Sequence, residues 1–277
     1  RAEFPEGPIT QLTDSPGINS FSAVVSEDGT KLFFTRESQI VSLNLADLKE
    51  TVLAEFPGGK LGEVNLSPDG RWIVSAIKLG KRHGITVTDA LFGGGAIIHH
   101  QDRTIIHPQF SKVDPFVIEY AADPAPRMFL INRDGTGNRC LYEHGNDEFV
   151  VHETWLGDTG DIVFTVWPRS LRRLNPATGQ ISTIADFNAW HISPSADGRY
   201  IVCDTNHPDV GIQIVDVETG RRATICYPQS SNRGSQWARD TYALAADFEA
   251  AARAAGGVVE NQLSWMEMKA DTVYGPQ

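Results

Sequence analysis

The chain alternates short apolar runs with compact polar turns, and the same alternation recurs five times. A short apolar strand enters an Asp-Gly-like turn. A strongly apolar strand, a polar gap, a third strand, a second turn and a fourth strand follow. The five openings are FSAVVSEDGTKLFFT, VNLSPDGRWIVSAIK, HPQFSKVDPFVIEYA, HETWLGDTGDIVFTV and WHISPSADGRYIVCD. The runs QIVSLNL, GITVTDA, RMFLINRDGTG, LRRLNPATG and GIQIVDVETG come after them. Gly29, Gly70 and Gly198 close the first turn in three segments, and Gly137, Gly179 and Gly220 close the later one in three. Tight hairpins favour Gly, Asn and Asp, which accept positive φ or bond to their own backbone. Segments start at Phe21, Leu66, His107, His152 and His191. That is roughly every 40 to 45 residues, the length of a four-stranded propeller blade.

The pattern predicts an all-β protein, a β-propeller in one domain over residues 1–277, with five blades and the opening of a sixth in SWMEMKADTVYGPQ. A β-sandwich with long loops is the competing architecture. Its hairpins would look similar locally, but nothing would repeat two turn signatures in one order. Helical periodicity occurs once, around DFEAAARAAGG, within an insertion over residues 230–264 expected to enter at the channel mouth. A five-bladed ring would leave two sheet edges open, so further blades are expected past Gln277.

Charge narrows the partners. The formal net charge is -11, from 24 basic and 35 acidic side chains. Nucleic acid and anionic membrane both need a basic footprint and are not expected as partners. A small anionic ligand needs only a local positive site. No run of about 18 apolar residues predicts a membrane span. Cys140, Cys203 and Cys226 are odd in number and far apart, and read as reduced thiols. With no leader apparent, a cytoplasmic location is expected, although the chain begins at Arg1.

Propeller topology sorts the chemistry-bearing residues. The loop entering an inner strand and the loop between second and third strands share one face. His107, His152 and His191 sit at inner strands. Arg127, Arg169 and His207 sit at the second-to-third-strand loops of blades three, four and five. These six are expected to converge on one channel mouth. A single histidine there would ordinarily be a satisfied channel plug; three at equivalent positions, with two arginines, read as a site. His99 and His100 read as ordinary loop residues near the mouth. The SPDG and SADG serines read as turn residues rather than nucleophiles, and no HExxH, GxSxG or phosphate-binding loop is present. DTNHPD lacks the carboxylate spacing of a calcium loop.

With IIHPQFSKVDPFVIEY, RMFLINRDGTGNR, VHETWLGDTG, AWHISPSADGRYIVCDTNHPD and SQWARDTYAL, the chain resembles the oligogalacturonate lyases, which have seven-bladed propellers. The resemblance runs from QLTDSPG to VYGPQ. It implies β-elimination of short pectic oligomers with Mn²⁺ held by three histidines and a glutamine. Gln277 matches the first member of the family's Gln-x-x-His-x-His segment, whose histidines would follow it. The remaining ligand falls on His191, with His207 as alternative. The resemblance places the catalytic base on His152 and a substrate arginine on Arg127. Position at the mouth gives His107 a substrate role, shared with Arg169 and His207. GINSFSAVV departs from the family, whose first blade tends to carry histidines.

The chemistry suits these residues. A uronate has an acidic C5 proton, a histidine accepts a proton near neutral pH, and arginine clamps a carboxylate bidentately. Histidine and glutamine are neutral ligands and leave a divalent cation its full charge. The donor of a proton to the leaving oxygen at C4 is not visible in the sequence. Two other readings are a non-catalytic propeller serving as binding module or scaffold, and the propeller domain of a serine peptidase.

Overall fold

The computed structural model describes residues 7–19, 21–206 and 208–227. His207, Gln277, the 230–264 insertion and the opening of a sixth blade lie outside them. The described chain forms five four-stranded antiparallel sheets, each built from consecutive strands in chain order. They cover residues 24–55, 60–101, 104–140, 149–185 and 189–226. Their first strands are Val24–Val25, Lys60–Leu66, Thr104–Phe110, Phe149–Trp155 and Ala189–Pro194. These first strands meet one another from sheet to sheet and are the inner strands.

The core lies between sheets. Phe33 and Ile40 of the first sheet pack with Leu61 and Ile73 of the second. Val74 and Ile85 of the second pack with Phe110 and Ile118 of the third. Met128 and Leu130 meet Ile162 and Phe164, and Leu156 and Val163 meet Ile201 and Val215, across the next two junctions. Four-stranded sheets stacked face to face in chain order are the arrangement of propeller blades. Each fully buried large side chain, such as Phe110 or Phe164, stabilises this stack by about 1.5–3 kcal/mol.

The repeated turn has a local cause. In blades one, two and five the hydroxyls of Ser26, Ser67 and Ser195 donate to Asp28, Asp69 and Asp197 at 2.5–2.7 Å. The same hydroxyl oxygens accept the N–H of Lys31, Trp72 and Tyr200 at 2.8–3.0 Å. Gly29, Gly70 and Gly198 then turn the chain at φ of 68°, 68° and 69°. Each Ser-x-Asp-Gly box thus satisfies its own backbone and pins the inner hairpin.

Two details bear on the expectations. His99 and His100 lie in Gly95–Gln101, the outermost strand of blade two, rather than in a loop at the mouth. That strand is weakly apolar at its exposed positions, so the sequence pattern stops short of it. The cysteines are free thiols, as expected.

Candidate functional site

Each inner hairpin closes on a backbone bond from the residue at the turn start: Ser26, Ser67, Ser111, Leu156 or Ser195. Four residues before these stand Ser22, Glu63, His107, His152 and His191. They occupy one level of the inner strands, and in blades two to five that level is a β-bulge. Residues 62–63 face Ala76, 107–108 face Tyr120, 152–153 face Phe164, and 190–191 face Asp204, two residues against one. A bulge re-aims side chains that regular alternation would send to opposite faces. His107 and His152 adopt φ of 52° and 57°, the left-handed region where a bulge ordinarily takes glycine. Holding non-glycine residues there costs on the order of 1–3 kcal/mol each, and such strain concentrates at functional sites.

The bulges build one cavity of about 300 Å³, lined among others by Glu63, His107, Gln109, His152, Glu153 and His191. The His152 and His191 ring centroids lie 4.6 Å apart. His191 Nδ1 lies 2.8 Å from Asp204 Oδ2, and its backbone N–H donates to Asp204 Oδ1 at 2.6 Å. A carboxylate only accepts, so Nδ1 is the donor of this contact, and in the neutral ring Nε2 is the nitrogen with the lone pair. That is the usual state of a histidine oriented toward a metal by a carboxylate. His152 Nε2 is buried and has no hydrogen-bond partner. Burial pushes the His152 imidazole down to about 3, helped by His191, Arg127 and His107. His107 Nδ1 lies 3.7 Å from Glu63 Oε1.

A buried polar layer supports the cavity. Arg127 Nε donates to Glu153 Oε2 at 3.0 Å, and Nη1 donates to both Asp123 oxygens at 3.0 and 3.1 Å. Gln109 Nε2 donates to Glu119 Oε2 at 2.9 Å and to the Glu153 carbonyl at 2.8 Å, while its Oε1 accepts from the Thr154 hydroxyl at 3.0 Å. One amide therefore ties the inner strands of blades three and four together. Glu119 is fully buried, and burial, then the nearby Glu153, raise its carboxyl well above the ordinary range. Glu119 is thus the member of this layer whose surroundings favour the protonated form.

Of the six residues expected at one mouth, the structure brings His107, His152 and His191 into the cavity. Arg127 stands behind it, bound to the cavity-lining Glu153, with its side chain 10% exposed. Its Nε and Nη1 are taken, so a two-pronged grip on a ligand would displace Glu153 or Asp123. Arg169 is exposed in the hairpin between the second and third strands of blade four and is not among the cavity-lining residues. Sequence reasoning missed Glu63, Gln109, Glu119, Glu153 and Asp204. Glu63 alone carries a sequence signal: it is found by counting back four residues from the SPDG serine. Among the described residues, no three His, Cys, Asp or Glu side chains converge to hold a metal ion. His191 fits one ligand position, with its Nδ1 held by Asp204.

No family model matches the chain. It is 21% identical over 252 residues to the oligogalacturonide lyase of Pectobacterium atrosepticum, covering 76% of this chain and 63% of that protein. It is 20% identical over 243 residues to the oligogalacturonate lyase of Dickeya dadantii, covering 74% and 61%. The chain thus spans less than two thirds of the length of these relatives. The fold is similar to an oligogalacturonate lyase solved in complex with manganese, with a TM-score of 0.75 at 20% identity over 84% of this chain and 71% of that one. An oligogalacturonate lyase from Vibrio parahaemolyticus gives 0.73 at 21% identity over 83% and 71%. Fold and distant sequence similarity both point to the oligogalacturonate lyases.

Proposed function

We propose that this chain belongs to an enzyme that cleaves short oligogalacturonates by β-elimination, leaving an unsaturated uronate. The observation that carries the reading is the cavity built by three histidines at one level of three successive inner strands, two of them in left-handed backbone. A scaffold propeller has no reason to hold that strain.

His152 is the base. Its neutral imidazole presents an unpaired Nε2, the form that accepts the C5 proton. The negative charge of a bound uronate opposes the influence of Arg127 and the neighbouring imidazoles, and so raises His152's affinity for that proton. Arg127 fixes Glu153, the next residue in the bulge, and thereby holds His152 in position; its positive charge also favours an anionic substrate. Arg169, on the same hairpin end, and His207 serve the rest of the oligomer. A divalent cation such as Mn²⁺ would offset the charge developing on the uronate carboxylate. His191 through Nε2, and Gln277, are the residues of this chain that would hold it. The complete protein carries seven blades in this reading and acts in the cytoplasm.

His152→Asn is the test. Asparagine tolerates left-handed backbone, so the bulge survives while the imidazole is lost. Turnover of trigalacturonate with Mn²⁺, followed by ultraviolet absorbance of the conjugated product, should fall on the order of 10² to 10⁴-fold with metal content unchanged. His191→Ala should lose metal and turnover together. Near-native turnover in His152→Asn would remove His152 from the mechanism, and loss of metal would make it a ligand instead.

A further inference from the structure

Elimination needs a second proton transfer that His152 cannot supply. As the C5–H bond breaks, its electron pair forms the C4–C5 double bond and the C4–O bond breaks. The departing oxygen is the glycosidic oxygen, and the sugar alkoxide it would form is a poor leaving group unless it is protonated as it leaves. In a galacturonate chair the C5 hydrogen and the C4 oxygen do not lie on one line of approach, so base and acid must come from different directions.

We propose that His107 is the general acid, with Glu63 as the residue that orients it. This rests on the lyase reading above. The two cavity-lining histidines with left-handed backbone differ in their partners. His152 packs against His191 and Trp190 in the blade-five direction, with ring centroids 4.6 Å apart in both cases. His107 faces the blade-two side, where Glu63 occupies the same bulge level and stands 3.7 Å from its Nδ1. With Nδ1 turned toward that carboxylate, Nε2 is the ring nitrogen left to face the substrate, and Nε2–H is the donor a general acid would use. The His107 side chain is 52% exposed, open to the cavity and to solvent. Glu63 is otherwise unsuited to a cavity for an anion. Its charge would repel a uronate unless a neighbouring donor faced it, and His107 is the donor beside it. The other titratable groups lining the cavity are His152, Glu153 and His191.

The step balances. The C5 proton goes to His152 Nε2, the His107 Nε2 proton goes to the C4 oxygen, and the products are the unsaturated uronate and a shortened oligomer with a new hydroxyl. Afterwards His152 holds a proton that His107 has lost. Solvent restores both, so no net proton is consumed.

The experiment compares the full protein and His107→Asn on trigalacturonate and on a uronate bearing a 4-O-nitrophenyl group, whose phenolate leaves without protonation. Asparagine again suits the left-handed backbone, and circular dichroism checks the fold. On trigalacturonate, kcat should fall on the order of 10² to 10⁴-fold. On the aryl substrate His107→Asn should come within about tenfold of the parent, whereas His152→Asn should remain impaired. Glu63→Gln should lower kcat on trigalacturonate more than on the aryl substrate, because His107 loses the carboxylate that faces its Nδ1. Equal losses for His107→Asn on both substrates would make His107 a binding residue and overturn the assignment. Unimpaired turnover on trigalacturonate would overturn it as well. A parent protein inactive on both substrates would instead overturn the lyase reading itself.

Discussion

At the scale of single residues, the site works by contrast of environment. Burial, helped by His191, Arg127 and His107, holds His152 neutral, while His191 is oriented by Asp204. Glu119 is the clearest titration target because it lies in the supporting layer and is not among the residues lining the histidine cavity. Its folded value is raised, so the fold accommodates the protonated form. The stability tied to it is fully present below the ordinary carboxylate range and is lost as pH rises through the folded value. Glu119→Gln keeps an acceptor for Gln109 but cannot ionise. The variant should be at least as stable as the parent above neutral pH, with a flatter dependence of Tm on pH. Identical pH dependence of Tm in both proteins would show that Glu119 is not protonated in the fold.

At the scale of elements, the Ser-x-Asp-Gly turns set hairpins locally, whereas the contacts between turns hold blade to blade. Gly70 turns at φ of 68°, and a Cβ there would stand in open space, so Gly70→Ala meets only backbone strain. That costs about 1–2 kcal/mol. Gly157 has φ of 52°, and a Cβ there would collide with the Ala196 carbonyl and come within 2.5 Å of the Ser195 carbonyl. These belong to the turn of blade five, which also accepts the Asp158 N–H at 2.8 Å. Gly157→Ala should therefore destabilise by clearly more than Gly70→Ala, because it forces the blade-four and blade-five turns apart. Urea unfolding of the two variants checks the order; equal midpoints would mean that the two turns separate at little cost.

At the scale of the whole molecule, a net charge of -11 opposes the approach of a polyanionic substrate. The site must overcome that field locally. Raising ionic strength shortens the Debye length from about 30 Å at 0.01 M to about 8 Å at 0.15 M and screens the long-range repulsion first. KM for trigalacturonate should fall over this range while kcat stays nearly constant. A KM that rises with salt would mean that attraction by Arg127, Arg169 and the cation dominates even at long range.

The amino-acid pattern by itself determined the strand-and-turn repeat, because each Ser-x-Asp-Gly box satisfies its own backbone within a few residues. It also put His107, His152 and His191 on equivalent strands, since a repeat carries position from blade to blade. What the pattern could not carry is held between blades. The Glu63 pairing with His107, the Gln109 bridge to Glu153 and the bond from Arg127 to Glu153 join residues whose approach depends on how sheets stack. The left-handed backbone of His107 and His152 was hidden for a different reason. Neither residue type announces a bulge, which becomes visible only once the inner strand is paired with its neighbour, two residues against one. Tertiary structure therefore decided which histidines meet, which arginine is already engaged, and which carboxylates reach the cavity.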